Sequence, residues 1–243
     1  MDEFMRIAKL LEEGKIDPEE AGRLLEALDE GGRAPAAAGA AGRLRARLER
    51  ADLEVRVREG LSAPVVEEDG GLGLRLEAAD GGWQLTGTSR QRFLGAFGLL
   101  SARKAAVLAL PVGVGLELRL GQGEVRVEGV LPALKAQLGQ GRLRFAAAEA
   151  LDVQLGQGEV QGSVRITGGR HRVRLGMGRV KLVLAEGSDV QLHASTSLGE
   201  LRVRGGLQHR GEGRAQHFEG ALGSGQGRLE IAVGMGEVEV ETP

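Results

Sequence analysis

Leu116-Glu117-Leu118-Arg119-Leu120-Gly121-Gln122-Gly123-Glu124-Val125-Arg126-Val127-Glu128 decides how this chain must be read. Leucine alternates with charge as far as Leu120, two glycines flank one glutamine, and valine then alternates with charge. Period two places one face of each run in an apolar interior and the other in water. Glycine enters φ > 0 without a Cβ clash, so Gly-x-Gly lets a strand bend sharply and resume. The phrase is a corner between two half-buried strands. It returns as Leu138-Gly139-Gln140-Gly141-Arg142-Leu143, as Leu155-Gly156-Gln157-Gly158-Glu159-Val160 and as Leu175-Gly176-Met177-Gly178-Arg179-Val180. A reduced copy is Ser197-Leu198-Gly199-Glu200-Leu201, and Gly225-Gln226-Gly227-Arg228-Leu229 and Gly234-Met235-Gly236-Glu237-Val238 read as two more. A lone bent strand pair cannot bury its apolar face, whereas stacked coils bury one continuous core. The expectation is a mainly β chain wound as a parallel β-solenoid (β-helix), with aliphatic side chains inside and charges outside.

Composition fits a narrow interior. Of 243 residues 42% are hydrophobic but only 2% aromatic, so Leu, Val and Ala must fill the core. Little is left to stack on nucleobases or sugars. Net charge is -2 with both signs interspersed, which gives no broad field favouring nucleic acid. Cysteine is absent, which removes disulfides, thiolate metal sites and a cysteine nucleophile. Met1-Asp2-Glu3-Phe4 is acidic where a signal peptide is basic, and no run approaches a bilayer-spanning length. A cytoplasmic location, with peripheral membrane contact as a variant of it, is the expectation.

Residues 1–30 read as a small α-helical hairpin. Phe4, Ile7, Ala8 and Leu11 share one face of a first helix, and Gly14 suits its C′ position. Asp17-Pro18-Glu19-Glu20 supplies an N-cap, a proline at N1 and a capping-box glutamate. Ala21, Leu24, Leu25 and Leu28 repeat the stripe, and Gly31-Gly32 ends it. Two such helices are too little for an independent core, so Phe4, Ile7, Leu11, Leu24, Leu25 and Leu28 are candidate oligomer or partner contacts. Residues 31–42 turn to Gly and Ala and read as a flexible tether, and residues 43–243 as the repeat domain. Gln91 to Leu100 breaks the pattern and carries Phe93, Leu94 and Phe97. It reads either as a segment folded on the solenoid wall or as an apolar patch for a membrane surface or a protein.

Val107-Leu108-Ala109-Leu110-Pro111-x-Gly113 precedes the alternating strands, and Leu182-Val183-Leu184-Ala185-Glu186-Gly187-Ser188 with Val190, Leu192 and Ala194 repeats the phrase. Together with the corners, this resembles the putative-adhesin β-strand-repeat family of unknown function, over about residues 44–240. Ile7-x-x-Leu10-Leu11-x-x-Gly14-Lys15-Ile16-x-x-Glu19-Glu20-Ala21-x-x-Leu24-Leu25 is similar to the SHOCT-like module that precedes such repeats, as in LiaX-type proteins of the cell-envelope stress response. The resemblance implies a right-handed β-solenoid, a binding or scaffolding role and no catalytic residues. Two departures stand out. Arg142, Arg179 and Arg228 occupy positions where the family commonly has Asp or Glu. The interval from Ser197 to Gly225 is overlong, with an irregular segment expected near His209 to His217.

No copy supplies the phosphate-loop motif, strands rather than helices follow the glycines, and the position where a calcium nonapeptide needs aspartate holds Glu or Arg. His209 and His217 with Glu212 and Glu219 could hold a metal, though exposed loop histidines are the commoner reading. Neither a cofactor nor a catalytic residue is assigned. The first repeat strand carries Arg43, Arg45 and Arg47 and the last carries Glu237, Glu239 and Glu241. As opposite open edges, these rows would favour head-to-tail stacking, against the alternative of ordinary outward positions with capped edges. The function expected is a non-enzymatic scaffold whose hairpin oligomerises or recruits a protein partner. A filament-forming solenoid and a polysaccharide-acting enzyme are the alternatives.

Overall fold

The computed structural model describes residues 42–87, 105–206, 208–209 and 216–242, and their regular structure is all β. Contacts divide the chain into Met1–Ala36 and Ala37–Pro243, and the described residues belong to the second unit. The expected hairpin contacts Phe4, Ile7, Leu11, Leu24, Leu25 and Leu28, the tether up to residue 41, and Phe93, Leu94 and Phe97 lie outside the described residues.

The Gly-x-Gly phrases are corners within single long strands. β7 (Val114–Leu131), β8 (Leu134–Ala148), β9 (Leu151–Val164), β10 (Gly169–Leu184) and β14 (Gly227–Glu241) each run through one. β11 (Val190–Arg204) bends at the reduced copy, with Ser197 in place of the first glycine. These strands pair in parallel and in register. Gly123 lies beside Gly141, Gly141 beside Gly158, Gly158 beside Gly178, and Gly178 beside Gly236. Through the corner each coil therefore sets residue on counterpart in the next, and the register shifts only beyond it, after Val127 in β7–β8 and after Phe145 in β8–β9. Val125, Leu143, Val160 and Val180 are all fully buried, as alternation requires, and one aliphatic cluster runs from Leu44 to Val240.

The second corner glycine is fixed by the stack as well as by the bend. Gly141 has φ 143, and a Cβ built on it would overlap the carbonyl oxygen of Gly123 in the adjoining coil. The same overlap recurs at Gly158, Gly178, Gly236 and Gly199. In the coil made by β1 (Gly42–Arg50) and β2 (Leu53–Arg58), Ala51 takes this position. Here the Asp52 carboxylate caps the column, accepting the Glu124 N–H at 3.0 Å.

Coil order departs from chain order. β5 (Gly82–Gly87) and β6 (Ala106–Pro111) lie beside β1 and β2. β4 (Leu74–Ala79) is antiparallel on β5, and β3 (Val65–Glu68) on β6. At the other end β13 (His217–Leu222) is antiparallel on Val190–Ser195 of β11, and β12 (Gln208–His209) on β13. The main path reads β12-β13-β11-β14-β10-β9-β8-β7-β1-β5-β4 in one mixed sheet. The C-terminal strand β14 is thus wedged between β10 and β11.

Two expectations are corrected by this order. Arg43, Arg45 and Arg47 lie in β1, flanked by β5 and β7, while Glu237, Glu239 and Glu241 lie in β14, flanked by β10 and β11. Neither row has an open strand edge on which to add a second copy, and neighbouring coils meet the charges of both rows except that of Arg47. Gly225-Gln226-Gly227 is not a corner either. Gly227 begins β14, where a Cβ would overlap Ile166 and lie 3.0 Å from the Asp189 carbonyl, so glycine answers close packing there.

Candidate functional site

In-register stacking makes each outward position a row, and the sign of each row is the first determinant of the surface. A glutamate in every copy would stack carboxylates ~4.8 Å apart, and like charges directly opposite are destabilising. Across its middle coils the corner row avoids this by alternating, Glu124, Arg142, Glu159, Arg179, Glu237, whereas at the β11 end Glu237 meets Glu200 and Arg202 bonds both carboxylates. Arg142 reaches Glu159 at 3.7 Å, and Arg179 donates to Glu237 at 2.8 Å. The arginines at 142 and 179 are therefore the counter-charges of the neighbouring glutamates. A second row alternates similarly through Arg45, Glu117, Lys135, Asp152, Arg172 and Glu230. Glu117 lies 3.7 Å from Arg45 and 3.9 Å from Lys135, and Arg172 lies 3.8 Å from Glu230.

The last-strand acids are absorbed in the same manner. Lys181 sits 3.3 Å from Glu239 and 3.5 Å from Glu241, and the Glu239 contact is the main cause that raises its ammonium pKa. Arg202 donates to Glu237 at 3.1 Å, and Arg204 lies 3.7 Å from Glu239. Arg43 lies 3.7 Å from Glu117.

Between two outward rows runs a trench of about 930 Å³ along the stacking axis. Its floor is the column of first corner glycines, Gly121, Gly139, Gly156, Gly176 and Gly234. Arg47, Arg119, Gln137, Gln154, Arg174 and Ser195 form one wall. On the other side of the glycine column stand the corner tips Gln122, Gln140, Gln157, Met177, Met235 and Leu198, all exposed. Met235 is flanked by Met177 and Leu198, which makes an apolar ridge at the β14 end. Same-sign neighbours occur in some rows, as at Arg126 and Arg144 or Arg170 and Arg228, and one such pair lies in this trench. Arg47 and Arg119 are register neighbours of the same sign, and among the described residues neither guanidinium has a hydrogen bond or ion pair. Arg174 alone among the trench arginines meets a carboxylate, Glu230 at 3.6 Å. No Asp or Glu lines the trench.

The histidines divide into two environments. His171 is buried, its Nε2 donating to the Gly168 carbonyl at 2.8 Å while Nδ1 accepts the Leu151 N–H at 3.2 Å. Burial pushes this imidazole below its ordinary pKa. At the β11–β13 end, His193 Nδ1 and His217 Nε2 lie 3.3 and 3.1 Å from the same Glu219 oxygen. The His217 and His193 hydrogen bonds hold the Glu219 carboxyl below the usual range. His209 faces Gly220 in the β12–β13 register, and Glu212 lies outside the described residues. Among the described residues no group of three or more His, Asp or Glu is arranged to hold a metal ion. No described helix is long and apolar enough to cross a membrane.

Residues 2–33 match the SHOCT-like domain family. No curated protein matches the chain. Among solved structures, the chain is similar to a "putative cell adhesion protein" from Clostridium sporogenes, at 14% identity and a TM-score of 0.50, over 87% of this chain and 97% of that one. It is also aligned with a "putative adhesin" from Bacteroides fragilis, at 9% identity and a TM-score of 0.27, over 83% of this chain and 94% of that one. The first likeness shows a shared β fold.

Proposed function

We propose that the protein is a non-enzymatic binding scaffold, its β stack a rigid platform and its SHOCT-like segment the part that self-associates or recruits a protein partner. The observation that carries this reading is the trench. It is a straight surface floored by glycines and walled by arginine and amide side chains, built from several coils rather than from converging acid and base groups. Fixed rows on a rigid scaffold suit recognition of an extended partner. The name of the Clostridium sporogenes protein, "putative cell adhesion protein", points the same way. The resemblance to LiaX-type proteins adds the finer reading: a right-handed solenoid with a helical hairpin over residues 1–30, acting in the envelope stress response from the cytoplasm or a membrane periphery.

Sedimentation velocity over a concentration series tests the association half. The full chain is compared with a Leu24→Asp, Leu25→Asp variant. The reading expects the full chain to sediment as a concentration-dependent oligomer and the variant as a smaller species. Identical monomeric sedimentation of both, with no partner crosslinked at the segment in cells, would remove the hairpin's role.

A further inference from the structure

We infer that the glycine-floored trench binds an acidic polysaccharide, a linear polyuronate lying along the stacking axis. The inference rests on the platform reading above and names its ligand class. Three observations converge on it.

Charge comes first. Arg47, Arg119 and Arg174 line the trench and no acid does. Arg47 and Arg119 are same-sign register neighbours, and among the described residues neither guanidinium has a hydrogen bond or ion pair. Guanidinium groups pair carboxylates in a two-pronged geometry, which suits a ligand bringing its own carboxylates. Glu49 lies in the β1 coil beyond the last floor glycine and does not line the trench.

Shape comes second. The floor glycines Gly121, Gly139, Gly156, Gly176 and Gly234 are exposed and leave the backbone bare across several coils. At ~4.8 Å per coil the floor runs roughly 20 Å, enough for a few sugar rings end to end. The strands here are paired on both sides, so their N–H and C=O groups already serve the parallel ladder. A peptide adding as a strand needs an open edge and finds none in the trench.

The polar inventory comes third. Gln137, Gln154, Ser195 and Ser197 line the trench, and their amides and hydroxyls both donate and accept, as sugar hydroxyls do. No aromatic side chain lines the trench, so a neutral glycan gains no stacking and the carboxylates must supply the affinity.

The test is calorimetric titration of the full-length protein with polygalacturonate, its fully methyl-esterified form and poly-L-glutamate, at low and high salt. Polygalacturonate is expected to bind, more weakly at high salt, and the ester and polyglutamate about tenfold or more weaker. An Arg47→Gln, Arg119→Gln variant is expected to lose about tenfold or more in affinity for polygalacturonate. A Gln137→Glu, Gln154→Glu variant, which sets carboxylates into the same wall, should lose at least as much. All four positions face outward, and an unchanged far-UV circular dichroism spectrum identifies folded variants. Absence of polygalacturonate binding, binding that neither folded variant weakens, or equal affinity for polyglutamate overturns the assignment. If the trench fails while the chain still oligomerises through its SHOCT-like segment, only the ligand assignment is lost. If the chain neither binds nor associates, the platform reading falls with it.

Discussion

Replacing Gly141 with alanine tests the corner column, because the required glycine is set by two separate demands. Its φ of 143 disfavours any L side chain, which costs ~1–3 kcal/mol for a residue held in a sparsely populated region. The added Cβ also overlaps the Gly123 carbonyl, a backbone atom that cannot swing aside. Separating the coils enough to admit the methyl weakens the β7–β8 ladder at that rung, at ~1 kcal/mol per hydrogen bond. The sum is a loss of about 2–4 kcal/mol. The control is Gly60→Ala, where φ is 79 and nothing lies within 4 Å of the new Cβ. That site carries backbone strain alone, about 1–2 kcal/mol. Urea unfolding followed by circular dichroism reads both. At an m-value of about 2–3 kcal/mol/M, the Gly141 variant should lower the midpoint by about 1 M. If Gly141→Ala costs no more than Gly60→Ala, the carbonyl contact between coils is not what holds glycine in the column.

Three further outcomes follow from the same geometry. Arg179→Glu sets a carboxylate between Glu159 and Glu237 and should cost about 0.5–1 kcal/mol, while Arg179→Glu with Glu237→Arg should recover most of it in the same urea assay. His171 has a depressed folded-state pKa, so its share of stability is complete above its ordinary 6.5 and declines as pH falls below that value. Urea midpoints at pH 7.5 and 5.5 should show a fall that shrinks in a His171→Gln variant, and an unchanged fall would remove His171 as its source. Asp189 accepts the Ser224 hydroxyl and the Gln226 and Gly225 N–H groups, which hold its carboxyl below 3.8. Its stabilisation is therefore present above pH 4 and lost in stronger acid. Asp189→Ala should lower thermal stability at pH 7 and leave a shallower acid limb in the pH titration.

What could be read from the residues was local. Alternation about Gly-x-Gly placed Val125, Leu143, Val160 and Val180 inside because period two and a bend are properties of a short window. The order of the coils is not local. Corner copies are nearly interchangeable, so nothing in the Gly234-Met235-Gly236 phrase says that it stacks on Gly178 and Gly199 rather than at an end. That is why Glu237, Glu239 and Glu241 read as an open edge, when their partners are Lys181, Arg179, Arg202 and Arg204. Gly225-x-Gly227 misled because a glycine required by Ile166 and the Asp189 carbonyl looks the same in one dimension as one required by a bend. The arginines at 142 and 179, departures from the repeat when read singly, become counter-charges once coils are neighbours. The trench was illegible for the same reason. Arg47 and Arg119 are 72 positions apart along the chain and adjacent only through the β1–β7 register.

Cysteine pairs at the corner tips test the stacking order most directly, in a chain that has no cysteine of its own. Met177, Met235 and Leu198 are exposed, and Met235 is the register neighbour of both others. Adjacent parallel strands hold Cα atoms about 4.8 Å apart, within the span a disulfide bridges, whereas strands two apart lie beyond it. Mild oxidation should crosslink Met177→Cys with Met235→Cys, and Met235→Cys with Leu198→Cys, while Met177→Cys with Leu198→Cys stays reduced. Efficient crosslinking of the 177–198 pair, with neither pair through 235, would mean that the coils stack in chain order and that the trench is not continuous across β14.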